Sequence, residues 1–218
     1  MLVEIWSDVV CPWCYLGTRR FHAALEGFEH RDEVEVRHRA FQLDPGASSD
    51  HPGDDAPSHR DRLAAKFGTA PEQVDRMHAD MTALGAEVGV DFRFEHVRSA
   101  NTFDAHRLLH LAHDRGVEVA VQDRFFHAVF TAGEPVGDRD TLRRVAVDAG
   151  LPAADVDDVL GSTRYADAVT ADLARARELG VTGVPFFVLD GRYGVSGAQS
   201  AEVLGDALRQ AWSSAAPA

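Results

Sequence analysis

Cysteine is scarce. The 218 residues hold two, Cys11 and Cys14, and neither has another thiol elsewhere in the chain to pair with. A scaffold stapled by several disulfides is excluded. No apolar run reaches the roughly 18–20 residues that a membrane span needs. Positive charge is outweighed: 22 Lys and Arg stand against 35 Asp and Glu, a formal charge of −13 with no basic block. Such a surface repels phosphates, so nucleic acid is not an expected partner. There is no Gly-rich phosphate loop, no internal repeat, and no low-complexity tract beyond the small tail from Ser213 to Ala218. The N-terminus lacks a basic n-region, an apolar h-region and a small-residue cleavage site, so the chain is expected to start at Met1 and to stay in the cytosol. In that compartment a lone Cys-x-x-Cys points to catalysis or metal binding rather than to a permanent bridge.

The composition is that of a globular protein, 45% hydrophobic and 26% charged. Its length suits one large domain or one domain carrying a big insertion. Leu2 to Trp6 alternates as a strand. Phe21, Ala24, Leu25 and Phe28 form a helical stripe directly after the cysteines. Val34, Val36 and Ala40 alternate with Glu35, Arg37 and Arg39 as a second strand, which completes a βαβ unit and favours parallel pairing. Asp44 to Ser58 is rich in Pro, Gly, Ser and Asp and reads as a linker. From there to residue 179 the pattern is helical. Val74, Met77, Met81, Leu84 and Val88 form one stripe, with Thr69 and Glu72 as a candidate capping box before it. Four more stripes run through Ala105–Ala112, Val121–Val129, Leu142–Ala149 and Ala166–Ala176, the last ending at Gly180 as a C′ glycine. The apolar run Phe186 to Leu189, the hairpin signal Asp190-Gly191 and a final amphipathic helix from Val203 to Ala211 close the chain. The expected domains are therefore an α/β domain from 1–48 and 180–214 and an all-helical insertion over 56–179.

The chemistry centres on Cys11-Pro12-Trp13-Cys14. At a helix start, Cys11 takes the N-cap and Pro12 takes N1, where its missing N–H costs nothing. Cys14 returns to the same side one turn later. The unpaired N–H groups and the positive end of the helix dipole stabilise a Cys11 thiolate. This reading makes Cys11 the nucleophile and Cys14 the resolving thiol. A zinc site competes poorly, because four protein ligands are usual and no paired His spacing follows the cysteines. An inert pair of core cysteines is the remaining alternative. Val184-Pro185 opens an apolar strand, where proline is normally unwelcome. The βαβ…ββα order places it against the Cys-x-x-Cys helix, and a cis Val184-Pro185 bond is expected there. The Val184 backbone would then pair with an extended substrate.

The segment Trp6-Ser7-Asp8-Val9-Val10-Cys11-Pro12-Trp13-Cys14-Tyr15-Leu16-Gly17 resembles the opening of FrnE-like oxidoreductases of the DsbA family, in the thioredoxin superfamily. Met81-Thr82-Ala83-Leu84-Gly85, Ala100 to Arg107, Gly183-Val184-Pro185 and Ser196-Gly197-Ala198-Gln199 extend the resemblance over nearly the whole chain. It implies a thioredoxin fold (βαβ…ββα) with a large helical insertion, and dithiol–disulfide exchange without metal, flavin or nucleotide. Partners would be protein or small-molecule thiols and disulfides, with glutathione open as a co-substrate. The relatives are often dimers, which leaves a homodimer open. They include 2-hydroxychromene-2-carboxylate isomerases and kappa-class glutathione transferases. Those typically carry Ser where this chain has Cys11, so a glutathione-dependent isomerase or transferase is the runner-up reading. A zinc-holding or scaffolding module is the third.

By the same resemblance the insertion roofs the Cys11 site, and Asn101, His106 and Gln199 line a substrate cleft. In the blander reading Asn101 is a helix cap and His106 a packing residue. Asp8 either relays a proton to Cys14 or caps the turn, and Trp13 flanks the nucleophile. The other histidines and the Asp and Glu excess are expected on the solvated surface.

Overall fold

A computed structural model describes residues 1–48, 57–98 and 100–215. Most of the expected linker, residues 49–56, and the end of the tail, residues 216–218, lie outside the described residues. The chain divides into two compact units, Met1–Leu43 with Asp167–Ala218, and Asp44–Ala166.

The first unit is built on a four-stranded sheet of order β2-β1-β3-β4, from β1 (Leu2–Ser7), β2 (Glu35–Ala40), β3 (Phe186–Leu189) and β4 (Tyr193–Ser196). β1 runs parallel to β2, with Val3 opposite Val36 and Trp6 opposite Arg39. β3 is antiparallel to β1 and to β4. The β3–β4 turn uses Asp190 and Gly191 at φ of 52° and 66°. Two successive positive φ values match the twist of a tight hairpin, as the Asp-Gly pair predicts. Period-two alternation splits the sheet into two faces. One face carries Val3, Ile5, Phe187 and Leu189. It is covered by Phe21 and Ala24 of α1 (Pro12–Glu26), by Phe28 just past the end of that helix, and by Leu204, Leu208 and Ala211 of α9 (Ala201–Ala215). The expected stripe on α1 is the one that packs.

The other face presents Trp6 and Val188 to Ala176 of α8 (Ala166–Glu178) and to Val181. The periodicity of this helix had placed it with the insertion, but all of it after Ala166 belongs to the first unit. Gly180, at φ 70°, ends it, and the Val181 N–H reaches back to Ala176 O at 2.9 Å, as expected of a C′ glycine. Some of the acidic excess is not on the solvated surface. Asp172 is 5% exposed and accepts from Arg39 at 3.2 Å and from the Ala40 N–H at 3.0 Å. Its own carbonyl takes the Trp6 indole N–H at 3.1 Å. Arg39 also holds Glu4, at 2.6 and 2.8 Å. The register Trp6↔Arg39 puts these groups on the face that α8 covers. His38, His110 and Glu118 are likewise buried rather than solvated.

The second unit is helical: α2 (His59–Phe67), α3 (Pro71–Glu87), α4 (Phe103–Asp114), α5 (Glu118–His127), α6 (Arg139–Asp148) and α7 (Ala153–Gly161). Residues Ala105 to Ala112 of α4 are all buried, so this helix forms the centre of the unit. Its Arg107 donates to the carbonyls of Val159, Ser162 and Arg164 and satisfies the C-terminal end of α7. The expected capping box is absent. The N-cap of α3 is Ala70, one residue later than the sequence suggests, and Thr69 Oγ1 instead donates to Gln73 at 2.8 Å. Met77 leaves its stripe as well: it is 44% exposed, whereas Val74 and Met81 are buried. A π turn at Ala128–Ala132 prolongs α5.

Candidate active site

Cys11 sits at the N-cap of α1 with extended backbone, φ −102° and ψ 111°, and Pro12 opens the helix. A turn fixes the approach, since the Cys11 N–H donates to Asp8 O at 3.0 Å. The helix then begins with Cys14 and Tyr15 N–H donating to Cys11 O at 3.0 and 3.2 Å. The same Cys14 N–H reaches Cys11 Sγ at 3.3 Å. This is the N-cap geometry expected of the motif: a backbone donor at the positive end of a helix dipole points at the sulfur. Cys11 is 4% exposed and Cys14 is fully covered. Both are free thiols. Burial foremost, then a hydrogen bond and charge from Cys11, pushes the Cys14 thiol well above its ordinary range. The Asp8 carboxylate adds to this rise, and a hydrogen bond to the Asp8 backbone opposes it.

The Val184–Pro185 bond is cis, as expected, and the Val184 carbonyl accepts from the Cys11 thiol at 3.6 Å. Two further contacts fix this loop on α1. Gly17 has no side chain where Pro185 sits: a Cβ there would lie 2.8 Å from Pro185 Cγ and 3.3 Å from Ala198 Cβ. Arg20, one turn on, donates to Ala198 O at 2.8 Å, and the Gly197 N–H donates to Pro185 O at 2.9 Å. A glycine in a helix interior is the signal that could have revealed this, because it costs about 1 kcal/mol against Ala unless something must approach closely. Gly17→Ala tests the fit. Helix propensity alone would stabilise the variant, but overpacking of this kind costs about 1–3 kcal/mol. A lower urea midpoint and slower disulfide exchange are therefore expected. A raised midpoint would contradict the contact.

Trp13 is 46% exposed between the two thiols in sequence. Asp8 is buried, and its Oδ2 accepts from the Leu43 N–H at 2.8 Å, so it ties the chain leaving β2 to the turn before Cys11. Gln199 is exposed, and its side-chain amide donates to Ser196 O at 2.9 Å. Asn101 and His106 belong to the helical unit. The Asn101 amide donates to the carbonyls of Pro45 and Ala47, both at 3.1 Å, and its oxygen accepts from the Phe103 N–H at 2.9 Å. These bonds clamp the loop just ahead of α4, whose N-cap is Thr102 and not Asn101 as the capping reading expects. His106 is buried in α4 at 2% exposure. Among the described residues no three His, Cys, Asp or Glu side chains are grouped to hold a metal ion, and no helix is long and apolar enough to cross a membrane.

The sheet, the helix-capping cysteine and the opposed proline define a thioredoxin-fold oxidoreductase framework. The chain belongs to the DSBA-like thioredoxin domain family, whose model matches residues 2–209. A solved structure described as a probable DsbA oxidoreductase from Streptomyces coelicolor is 48% identical. It superposes with a TM-score of 0.92, covering 100% of this chain and 92% of that one. The uncharacterized protein YwbO of Bacillus subtilis (strain 168) is 26% identical over 190 residues, 86% of either chain. The cytosolic disulfide reductase DsbM from Pseudomonas aeruginosa, solved with GSH, shares the fold at 16% identity and TM-score 0.64, over 98% of both chains.

Proposed function

We propose that the protein is a thiol–disulfide oxidoreductase in which Cys11 attacks and Cys14 resolves. The observation that carries this reading is the Cys14 N–H aimed at Cys11 Sγ at 3.3 Å on the first turn of α1. When the Cys11 sulfur is ionised, that N–H and the helix N-terminus stabilise its charge. The thiolate attacks one sulfur of a substrate disulfide, forms a mixed disulfide and expels the other substrate sulfur as a thiolate. Cys14 then loses its proton and attacks Cys11 Sγ. The second substrate thiolate leaves, and Cys11–Cys14 becomes a disulfide. Two electrons have passed to the substrate, and two external thiols return the pair to the dithiol. Because burial keeps Cys14 protonated, the resolving step needs a base. Asp8, whose charge acts on Cys14, fills that role in this reading. Exposed Trp13 is the contact surface beside the nucleophile.

Glutathione as the recycling thiol and the cytosol as the compartment complete the proposal, both drawn from the description of DsbM. The test is turnover of insulin disulfides with glutathione as reductant. The protein should accelerate reduction catalytically, many turnovers per chain. A chain that instead conjugates glutathione to an electrophile, with no gain in insulin reduction, would overturn the reading in favour of a transferase.

A further inference from the structure

The helical unit contains a cavity of about 380 Å³ that disulfide exchange does not use. Its wall carries a cluster of four near-parallel aromatic rings. His59 of α2 meets both His78 of α3 (5.4 Å, 11°) and Phe94 (6.1 Å, 9°), His78 meets Phe94 at 4.2 Å and 5°, and Phe94 meets Phe92 at 5.2 Å and 11°. Three features fix the cluster before any ligand arrives. Gly85 leaves room for Phe92, since a Cβ there would fall 2.5 Å from its ring. Phe130, carried by the π turn, meets Phe92 and Phe94 edge to face. The Arg93 N–H donates to Phe130 O at 2.7 Å and locks the turn to the loop that bears both rings.

Both imidazoles of the cluster are held toward the neutral form. Burial, with His78 and Arg62 nearby, lowers His59 to about 4, and burial lowers His78 although Asp75 and Glu95 oppose it. The rim is negative. Arg60 is engaged by Asp75 at 2.7 and 2.9 Å and also faces Asp61 at 3.6 Å and Glu72 at 3.5 Å. Of these groups Arg60 and Asp75 line the cavity itself, where Glu95 adds a second carboxylate. Among the described residues no three His, Cys, Asp or Glu side chains are grouped here to hold a metal ion. A neutral aromatic face inside a negative rim attracts a flat cation, which gains from the ring quadrupoles and from the carboxylates together. The volume is in the range of small-ligand sites.

We propose that this cavity binds a small planar aromatic cation, held against the His59–His78–Phe94 ring cluster and oriented by the carboxylates of its rim. The probe is proflavine, a tricyclic aromatic cation, titrated into the full chain near neutral pH and read by fluorescence polarisation. Saturable one-to-one binding is expected, with Kd on the order of 100 µM or tighter. Naphthalene sulfonate, flat but anionic, should bind at least about tenfold more weakly. Ala79→Trp, on an exposed face of α3 that lines the cavity, should fill it and remove proflavine binding. Should that variant fail to fold, Glu95→Gln at the exposed rim carries the test, with at least about threefold weaker binding expected. Absence of saturable binding, equal affinity for the anion, or unchanged affinity in a folded Ala79→Trp or Glu95→Gln variant would overturn the proposal.

Discussion

Replacing Cys11 by Ser is expected to bring insulin-disulfide reduction down to the rate without protein. The loss should be about a thousandfold or more, since removing the attacking group from an enzyme can cost up to about 10⁶ in rate. A hydroxyl at this N-cap would still accept the Cys14 N–H, so the helix keeps its cap and stability should change little. Cys14→Ser should also lose turnover, but in a different way. Cys11 can still attack, the mixed disulfide forms, and nothing inside the chain releases it. Incubated with a disulfide substrate, Cys14→Ser should accumulate covalent adducts visible by non-reducing electrophoresis, whereas Cys11→Ser should trap none. Equal trapping by both variants would reverse or void the assignment of roles.

The second large effect concerns stability. Asp172→Ala is expected to lower it by about 3–5 kcal/mol, the usual cost of breaking a buried ion pair from one side. The variant strands the Ala40 N–H, which bonds Asp172 at 3.0 Å, and leaves Arg39 with Glu4 alone. For a chain of this length, each kcal/mol shifts Tm by about 2–4 °C, so a fall on the order of 10 °C is expected. Asp172→Asn keeps an acceptor for Ala40 and should lose less. Asp167→Ala, in the exposed first turn of the same helix, should stay within about 0.5 kcal/mol of the parent. A similar small change for Asp172→Ala would mean that the network contributes nothing to the unit.

What could be read without coordinates follows from how local the cause is. The helix start at Cys11 was legible because Pro12 and the spacing to Cys14 act within one turn. The Asp190-Gly191 hairpin was legible because two positive φ values demand those residue types. The placement of α8 was not. Its stripe from Ala166 to Ala176 tells that one side is apolar, but many surfaces accept such a side. What selects the sheet is a long-range match between Asp172, Arg39, Glu4 and Trp6, and each of those charges alone looks like solvated surface. The role of Gly17 is likewise a statement about Pro185, 168 positions away by subtraction of their numbers. The shift of the α3 cap from Thr69 to Ala70 shows the opposite limit. Two adjacent starts differ by little in local energy, and Thr69 reaches Gln73 instead. The aromatic cluster joins His59, His78 and Phe94 from three separate segments, so no periodicity within one of them could announce it.

The central claim is that Cys11 and Cys14 form one two-electron couple, with Cys11 the sulfur that meets the substrate. Equilibrating the protein in buffers of graded glutathione to glutathione-disulfide ratio, quenching with an alkylating agent and mapping the peptides by mass spectrometry tests it most directly. The account predicts that both thiols disappear together as the buffer becomes oxidising, with an internal Cys11–Cys14 bond as the end product. A lasting glutathione adduct on Cys11, with Cys14 still alkylated at every ratio, would contradict it.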